Sequence, residues 1–474
     1  MNENESTNED EPHKKQSFWQ SIRRLLHGTD EDFTEGNLHR AVGLLAVPMV
    51  LEMAGESVFA ICDAFFVAKL GSAALAAVGL TESMMELVYA LAIGLSMATT
   101  ALVARRIGEK EPKAAAHAAV QAIAIAVFIS IIFGVLGMIY SRRILALMGG
   151  SAETVEIGAP YTFVMYGGMV VVLLLFINNA IFRAAGDAAI AMRSLWIANA
   201  INLILDPCLI FGLGPFPELG LLGAAIATTI GRGTAVIYQF WSLGHGNRIR
   251  ISFADIGIDF KVMWSIIRLS AGGVGQMLIS TSSYIGLIRI LATFETFVLA
   301  GYVIAIRIVI FVILPAWGFS NAAATLVGQN LGAKKPDRAE KAVWITGLWN
   351  MLFMAIVSVI FLFFSPPIIG IFTKDPQIRD IGVQSLSIIS YGYIFYAWGM
   401  VMMQAFNGAG DTTTPTAINF FCFWLFQIPL AWLLALNLGV GPKGVFWAIS
   451  ISYSLSAIVG IMLFRRGKWR DREV

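Results

Sequence analysis

Twelve apolar runs of about 20 residues dominate the sequence, and each is long enough to cross a bilayer as one helix. Lipid cannot hydrogen-bond free backbone groups, so a spanning segment must satisfy them internally. Hydrophobic residues make up 57% of the chain and charged residues only 14%, against about 25% charged in soluble proteins. We therefore predict an all-α polytopic membrane protein with 12 transmembrane helices. The predicted spans are 43–68, 76–103, 115–140, 157–182, 189–213, 220–243, 263–292, 297–327, 341–364, 382–406, 415–437 and 443–464.

The sequence repeats itself once. TALVARRIGEKEP (100–112) aligns with ATLVGQNLGAKKP (324–336), and IFRAAGD (181–187) aligns with AFNGAGD (405–411). The offset is constant, because 336 − 112 = 224 and 411 − 187 = 224. Each half has an even number of spans, so both halves enter the membrane in the same orientation. This predicts two six-helix bundles related by a pseudo-two-fold axis along the membrane normal.

Charge in the loops predicts the orientation. Lys and Arg concentrate in alternate loops and in the basic tail, which favours the cytoplasmic side for those segments and for both termini. The predicted division is a cytoplasmic tail (1–37) with a candidate interfacial helix at 17–27, an N-terminal bundle (38–245), a cytoplasmic linker (246–262), a C-terminal bundle (263–465) and a basic tail (466–474).

Acidic residues inside the spans belong almost entirely to the first half. A carboxylate in the middle of a membrane costs roughly 3 kcal/mol on insertion scales, so such residues indicate function. The set comprises Glu52, Glu56, Asp63, Glu82, Glu86 and Asp206. At offset 224 the partners of Asp63, Glu82 and Glu86 are Leu287, Ile306 and Ile310. We therefore predict that the acid chemistry lies in the N-terminal bundle and that its cavity is acidic.

Asn202 and Asp206 are spaced i, i+4 in the fifth span and share a helix face. If Asp63 from the first span converges on them, two carboxylates meet in a low dielectric. They would then share one proton or bind a small cation such as sodium. A structural alternative is an ion pair of these acids with Arg232 or Arg183.

Two further features are assigned local roles. Pro48 lies in the first span 15 residues before Asp63 and is predicted to bend the helix, which would couple site occupancy to helix shape. Pro207, Pro315 and Pro429 are expected to cause local kinks. Asp187 and Asp411 are expected to cap the helices that follow them.

Together these motifs resemble the multidrug and toxic-compound extrusion (MATE) antiporters, in their bacterial and archaeal branch. The resemblance runs from about residue 38 to 465 and rests on PMVLEMAGESVFAICDAFFVAKLG (48–71), the two cytoplasmic repeats, FRAAGD, FNGAGD, NLILDPCLIFG and GLLGAAIAT. It implies a secondary active transporter in the cell (inner or plasma) membrane that exports amphipathic, often cationic drugs or metabolites. Export would be driven by inward Na⁺ or H⁺ through alternating access.

The resemblance also assigns residues by position. It implies a cation-coupling site at Asp63, Asn202, Asp206 and Thr228, which would hold Na⁺ if the protein is sodium-coupled, and substrate-facing positions at Glu56, Tyr161, Asn179 and Asn199. Ser280 and Tyr396 stand where some relatives carry acids, which argues against a second coupling site in the C-terminal bundle. No cofactor is expected besides the coupling ion. The expected partners are the small-molecule substrate and membrane lipids, with no nucleic acid, and the protein is expected to be a monomer.

The first rival interpretation is a flippase of lipid-linked saccharides or of another lipid-like substrate, which would need a cationic cavity. The second is a membrane enzyme. The five histidines lie in tails or near loops, and the spans contain neither HExxH nor a Ser–His pairing, so we predict that the protein is not an enzyme.

Overall fold

The computed structural model describes residues 28, 31–252 and 257–472, and nearly all of them are helical. The candidate interfacial helix at 17–27 lies outside the described residues. Twelve spans cross the described part of the chain if two bent helix pairs are each counted as one span. The spans are α1 (Leu38–Ala68), α2 (Ser72–Gly108), α3 (Pro112–Leu147), α4 (Ala152–Gly167 and Met169–Ala185), α5 (Ala188–Phe211), α6 (Leu221–His245), α7 (Phe260–Leu291), α8 (Thr296–Gly332), α9 (Pro336–Phe372), α10 (Pro376–Ser390 and Tyr393–Gly408), α11 (Thr413–Asn437) and α12 (Pro442–Arg465).

Most helices are longer than their apolar runs. Helix α2 has 37 residues, whereas the run that predicts it covers 76–103. At about 1.5 Å per residue such a helix exceeds the hydrocarbon thickness of about 30 Å. The polar ends therefore continue the helix beyond the lipid core, where hydropathy gives no signal.

The two sharp bends lie at equivalent positions of the repeat. Helix α4 bends by 44° at Gly168, and α10 bends by 57° at Tyr391–Gly392, with 392 − 168 = 224. At both glycines another helix approaches closely: Cβ atoms added there would lie 2.9 Å from Thr229 Oγ1 and from Ser450 Cα, respectively. The bends thus lie at glycines that a neighbouring helix approaches closely, and they do not lie at prolines.

Prolines interrupt the helices less than expected. Helices α1, α5 and α8 continue through Pro48, Pro207 and Pro315. Pro429 lies in α11 between two π-helical segments, Phe420–Gln427 and Leu433–Asn437. A bend at Pro48 that responds to site occupancy therefore stays a prediction.

The loops after α4 and α10 also match. Gly186 and Gly410 both adopt left-handed backbone, with φ of 93° and 85°, a conformation in which only glycine avoids a steric penalty. Asp187 pairs with Arg248 at 3.7 Å and Asp411 with Arg472 at 3.4 Å, and both pairs obey the offset 224. Asp411 also accepts a hydrogen bond from the Thr414 backbone N at 3.2 Å.

The capping role predicted for Asp187 is wrong. Its side chain makes no capping hydrogen bond with the helix that follows. The carboxylate is instead directed to the guanidinium of Arg248, and that residue lies 61 positions away, at the end of the same half. A partner at that sequence distance cannot be identified from helix-cap patterns, because those patterns cover only the first turn of a helix.

Each half has its own apolar core. The larger cluster extends from Val67 to Ile249 in the first half and also takes in Ile266 from the start of α7, and a second cluster extends from Leu287 to Ile449. The halves meet where α1 and α2 pack against α7 and α8. The architecture is therefore two six-helix bundles, α1–α6 and α7–α12, in the same orientation.

The bundles close against each other on the side that carries residues 31–37 and 466–472, here called the terminal side. Added Cβ atoms at Gly108 and Gly332 would overlap the carbonyl groups of Gln329 and Arg105. Gln329 Nε2 also donates to Ala184 O at 2.8 Å. Helices α2 and α8 thus touch backbone to backbone and seal this side.

Candidate functional site

A buried polar cluster lies between α5 and α6. Asp206 is fully buried, and Asn202 and Thr228 are nearly so. Asn202 Nδ2 donates to Asp206 Oδ1 at 3.2 Å and to Thr228 Oγ1 at 3.1 Å. One turn of helix separates Asn202 from Asp206, which is why both reach the same partner helix. Gly231 permits the approach, because a Cβ there would lie 2.7 Å from Ala198 O.

This cluster retains unused oxygen atoms. Among the described residues, Asp206 Oδ2 and Asn202 Oδ1 have no hydrogen-bond partner although both are buried. Buried acceptors without a donor are costly. Carboxylate, amide and hydroxyl oxygens are the ligands that hard cations prefer. The arrangement therefore has the chemistry to bind a proton or a small hard cation.

Asp63 approaches this cluster from α1. It is partly exposed, and it lies close enough to Asp206 and Arg232 to interact with both electrostatically. Within the described part of the chain no direct hydrogen bond joins Asp63 to Asp206. The four residues implied as a coupling site thus form a tight triad with Asp63 beside it.

Helix α1 is fixed to α5 by two side chains. Trp196 Nε1 donates to Leu51 O at 3.1 Å, and Asn199 Nδ2 donates to Gly55 O at 3.0 Å. Asn199, expected to face the substrate, thus donates its side-chain amide hydrogen bond to the α1 backbone. It holds the segment of α1 that carries both Glu52 and Glu56.

A central cavity of about 210 Å³ lies between the bundles. Its charged lining consists of two ion pairs: Arg183 Nη1 lies 2.9 Å from Glu52 Oε1, and Arg232 Nη2 lies 3.5 Å from Glu56 Oε1. The prediction of an acidic cavity is wrong, because each glutamate of α1 has an arginine partner from α4 or α6. The sequence places Arg183 131 residues from Glu52 and Arg232 176 residues from Glu56, so helix periodicity could not pair them.

The substrate-facing residues implied by the resemblance divide into two groups. Glu56 and Asn179 line the cavity. Tyr161 is buried in the first-half core and Asn199 binds α1, and neither belongs to the cavity lining. Asn179 Oδ1 accepts from Gln239 Nε2 at 2.6 Å, so its amide is held in position.

Residues of the second half also reach the cavity, and sequence reasoning did not single them out. Gln404 Nε2 donates to Asn321 Oδ1 at 3.2 Å, and Asn407 Nδ2 donates to Gln404 Oε1 at 3.1 Å. These amides line the same cavity as the ion pairs. The signal available in advance was the position of Asn407, since 407 − 183 = 224 makes it the repeat partner of Arg183.

Metal-binding clusters rich in acidic, His or Cys side chains are not a feature of the described residues. No group of three or more such side chains converges within residues 28, 31–252 and 257–472. Any cation bound here would depend on the Asp–Asn–Thr oxygens described above.

Two parallel six-helix bundles around a shared polar cavity define a multi-pass membrane transporter. The family model described as MatE matches residues 48–208 and 274–433, which is more than half of the chain. The chain therefore belongs to the MatE family of transporters, and it is not an enzyme.

The chain is similar along most of its length to named transporters, and its fold is similar to that of solved transporter structures. The chain is 26% identical to a probable multidrug resistance protein NorM of Thermotoga maritima, over 91% of this chain and 93% of that protein. It is 27% identical to an FAD transporter of Shewanella oneidensis, over 86% and 90%. An outward-facing multidrug resistance MATE transporter has a TM-score of 0.86 at 24% identity, with 92% and 97% covered. A MOP superfamily transporter from Pyrococcus furiosus, whose pocket of reverse polarity is said to suggest a different function, has a TM-score of 0.87 at 23% identity, with 93% and 98% covered.

Proposed function

We propose that the protein is a secondary active exporter of amphipathic drugs or metabolites, driven by inward movement of Na⁺ or H⁺. The observation that carries this proposal is the buried Asp206 carboxylate with its unsatisfied oxygen beside Asn202 and Thr228. Such a group is stabilised when a cation or a proton binds. The relatives named for multidrug resistance and for FAD transport support an organic substrate.

The coupling route runs along α1. Asp63 lies within electrostatic range of both Asp206 and Arg232, and Arg232 pairs with Glu56 at the cavity. A cation bound at Asp206 changes the electrostatic potential at Asp63. It therefore changes the electrostatic attraction between Asp63 and Arg232. Ion binding therefore alters the ion pair that faces the substrate.

The closed terminal side corresponds to an outward-facing state if that side is cytoplasmic, as the positive-inside rule predicts. Glu82 and Glu86 lie in the half of α2 away from the terminal side and are exposed, and we propose that ions approach the acids from that side. Each inward charge yields about 2.3 kcal/mol per 100 mV of membrane potential. Opening of the α2–α8 contact would then release the ion to the cytoplasm. We place the protein in the inner or plasma membrane as a monomer.

Counterflow in proteoliposomes tests the proposal. An imposed Na⁺ or pH gradient should drive wild-type protein to accumulate at least one member of a panel of dyes and fluoroquinolones. Asp206→Asn should reduce gradient-driven uptake by about 100-fold, a typical upper value for coupling between two sites, and should preserve gradient-free exchange. Asp380→Asn, which changes an exposed acid of α10, serves as the control and should transport normally. Failure of both gradients to move any compound would overturn the antiporter assignment.

A further inference from the structure

The charged residues that line the central cavity all belong to the first half, and they comprise two glutamates and two arginines. Glu52 and Glu56 lie one turn apart on α1, and they pair with Arg183 of α4 and Arg232 of α6. The lining residues from the second half are uncharged and include the amides of Asn321, Gln404 and Asn407. The charged lining therefore sums to zero, with both signs available from the first half.

Neither pair uses all of its hydrogen-bonding capacity. Among the residues that the structure describes, Glu52 Oε2 and Arg232 Nη1 are buried without a hydrogen-bond partner. One of these atoms accepts and the other donates. The Glu56–Arg232 contact is long, at 3.5 Å, and about one third of the Glu56 side chain is exposed. This pair is thus the looser and more accessible of the two.

The rest of the cavity is suited to an apolar body. Its lining includes Ile93, Met97, Leu175, Phe176 and Trp317. A planar or aliphatic framework can pack between these side chains while its polar ends reach the α1 wall. The cavity therefore provides an apolar surface together with one anionic and one cationic contact.

Building on the exporter function proposed above, we propose that the preferred substrate class is the zwitterionic amphiphile. Its ammonium group binds Glu56, its anionic group binds Arg232, and its apolar body lies against Phe176 and Trp317. A ligand of one sign would open an ion pair and leave one partner uncompensated in a low dielectric, which is costly. When a zwitterion binds, its ammonium group pairs with the glutamate and its anionic group pairs with the arginine, so every charge keeps a partner of opposite sign.

A matched set of fluoroquinolones tests this class of substrate. Ciprofloxacin is zwitterionic near neutral pH, its methyl ester is a cation, and its N-acetyl derivative is an anion, while the ring system is common to all three. Dissociation constants are measured on the detergent-purified full chain, without any ion gradient. We expect the zwitterion to bind at least about tenfold more tightly than either derivative, since each lost charge-assisted contact weakens binding. Equal or tighter binding of the ester or of the N-acetyl compound would overturn the proposal.

Variants of the looser pair show which contact selects which charge. Arg232→Gln should shift the preference toward the methyl ester, and Glu56→Gln should shift it toward the N-acetyl compound. The double variant Glu56→Gln/Arg232→Gln leaves no unpaired charge, so it keeps the test valid even where a single variant fails to fold. It should bind all three compounds within about threefold of one another, whereas Asp380→Asn should keep the wild-type preference. A double variant that still prefers the zwitterion tenfold would contradict the assigned contacts.

The two proposals fail separately. Loss of the zwitterion preference in this gradient-free assay overturns the substrate class and leaves gradient-driven transport unaffected. An intact preference in a protein that no gradient drives would uphold the site and reject the exporter.

Discussion

The two bundles place different chemistry at equivalent positions. Glu52 and Arg183 form a buried ion pair in the first half; at offset 224 their partners are Gln276 and Asn407. These two amides also bind each other, with Gln276 Nε2 donating to Asn407 Oδ1 at 3.0 Å and Asn407 Nδ2 donating to Gln276 Oε1 at 3.2 Å. The fold accepts a neutral pair at this contact. The charges of the first half are therefore not required by the architecture, which argues that they serve transport.

The same contrast holds at Asp206. Helix α5 ends with a hydrogen bond from Leu213 N to Cys208 O, and α11 ends with the equivalent bond from Leu438 N to Leu433 O. The repeat offset at this point is therefore 225, because 438 − 213 = 225, and Ala431 is the counterpart of Asp206. Both side chains are fully buried. The extra residue falls in α11, where π-helical turns accommodate one more residue than α-helical turns. A buried methyl group in one half thus corresponds to a buried carboxylate in the other.

Converting the ion pair into the amide pair tests the comparison with the largest expected effect. Glu52→Gln leaves the Arg183 guanidinium without its carboxylate and should lower the free energy of unfolding by at least about 3 kcal/mol. Glu52→Gln/Arg183→Asn recreates the Gln276–Asn407 pair and should recover most of that loss. The measurement is unfolding of the detergent-solubilised protein. A double variant no more stable than Glu52→Gln would show that the two contacts are not equivalent.

The glycine bends provide a second test. Ala at position 392 would place its Cβ 2.9 Å from the Ser450 Cα, a backbone atom, whereas Ala at position 168 would meet the Thr229 side chain, which can rotate. Gly392→Ala should therefore destabilise by about 2 kcal/mol and Gly168→Ala by about 1 kcal/mol. The reverse order in thermal unfolding would mean that the α10 bend is the more adaptable of the two.

The helix caps give the smallest effect. Asn37 accepts from the His39 and Arg40 backbone N at 2.9 and 3.3 Å, and Asp259 accepts from the Lys261 and Val262 backbone N at 2.8 and 3.3 Å. These hydrogen bonds lower the pKa of the Asp259 carboxyl below its ordinary value of 3.8. Its contribution to stability is therefore complete above the ordinary pKa and is lost as the pH falls through the lowered one.

Hydrogen exchange reports this difference between the two caps. Stepwise acidification below the ordinary aspartate pKa of 3.8 should progressively reduce protection of the Lys261 and Val262 amides and leave the His39 and Arg40 amides unchanged after correction for intrinsic rates. Asp259→Asn should abolish the pH dependence. Equal loss of protection at both caps would point to general acid unfolding and remove the assigned cause.

Much of this organisation is predictable from the sequence. Hydropathy predicts the twelve spans, and the constant offset predicts two bundles in one orientation, because both signals are local or periodic. The i, i+4 spacing predicts that Asn202 and Asp206 share a face. The hydrogen bond from Asn202 to Thr228 depends on the packing of α5 against α6, which the spacing does not predict.

Contacts between distant segments are less accessible to such reasoning. Periodicity identifies the face of α1 that carries Glu52 and Glu56, but it does not identify which of several intramembrane arginines faces each of them. The bends at Gly168 and Gly392 depend on the approach of α6 and α12, and a single glycine in an apolar run gives no indication of that approach. For this reason the sequence predicts an acidic cavity, whereas the charges that line the cavity are balanced.

Direct measurement of ion binding tests the central claim that Asp206, Asn202 and Thr228 form the coupling site. Calorimetric titration of the purified protein with NaCl, with choline chloride as the control, is combined with indicator measurement of proton release. The wild-type protein should bind Na⁺ or exchange a proton, and Asp206→Asn should lose that signal while it still binds substrate. If wild type binds neither ion, or if Asp206→Asn binds the ion as wild type does, the coupling site does not lie at Asp206.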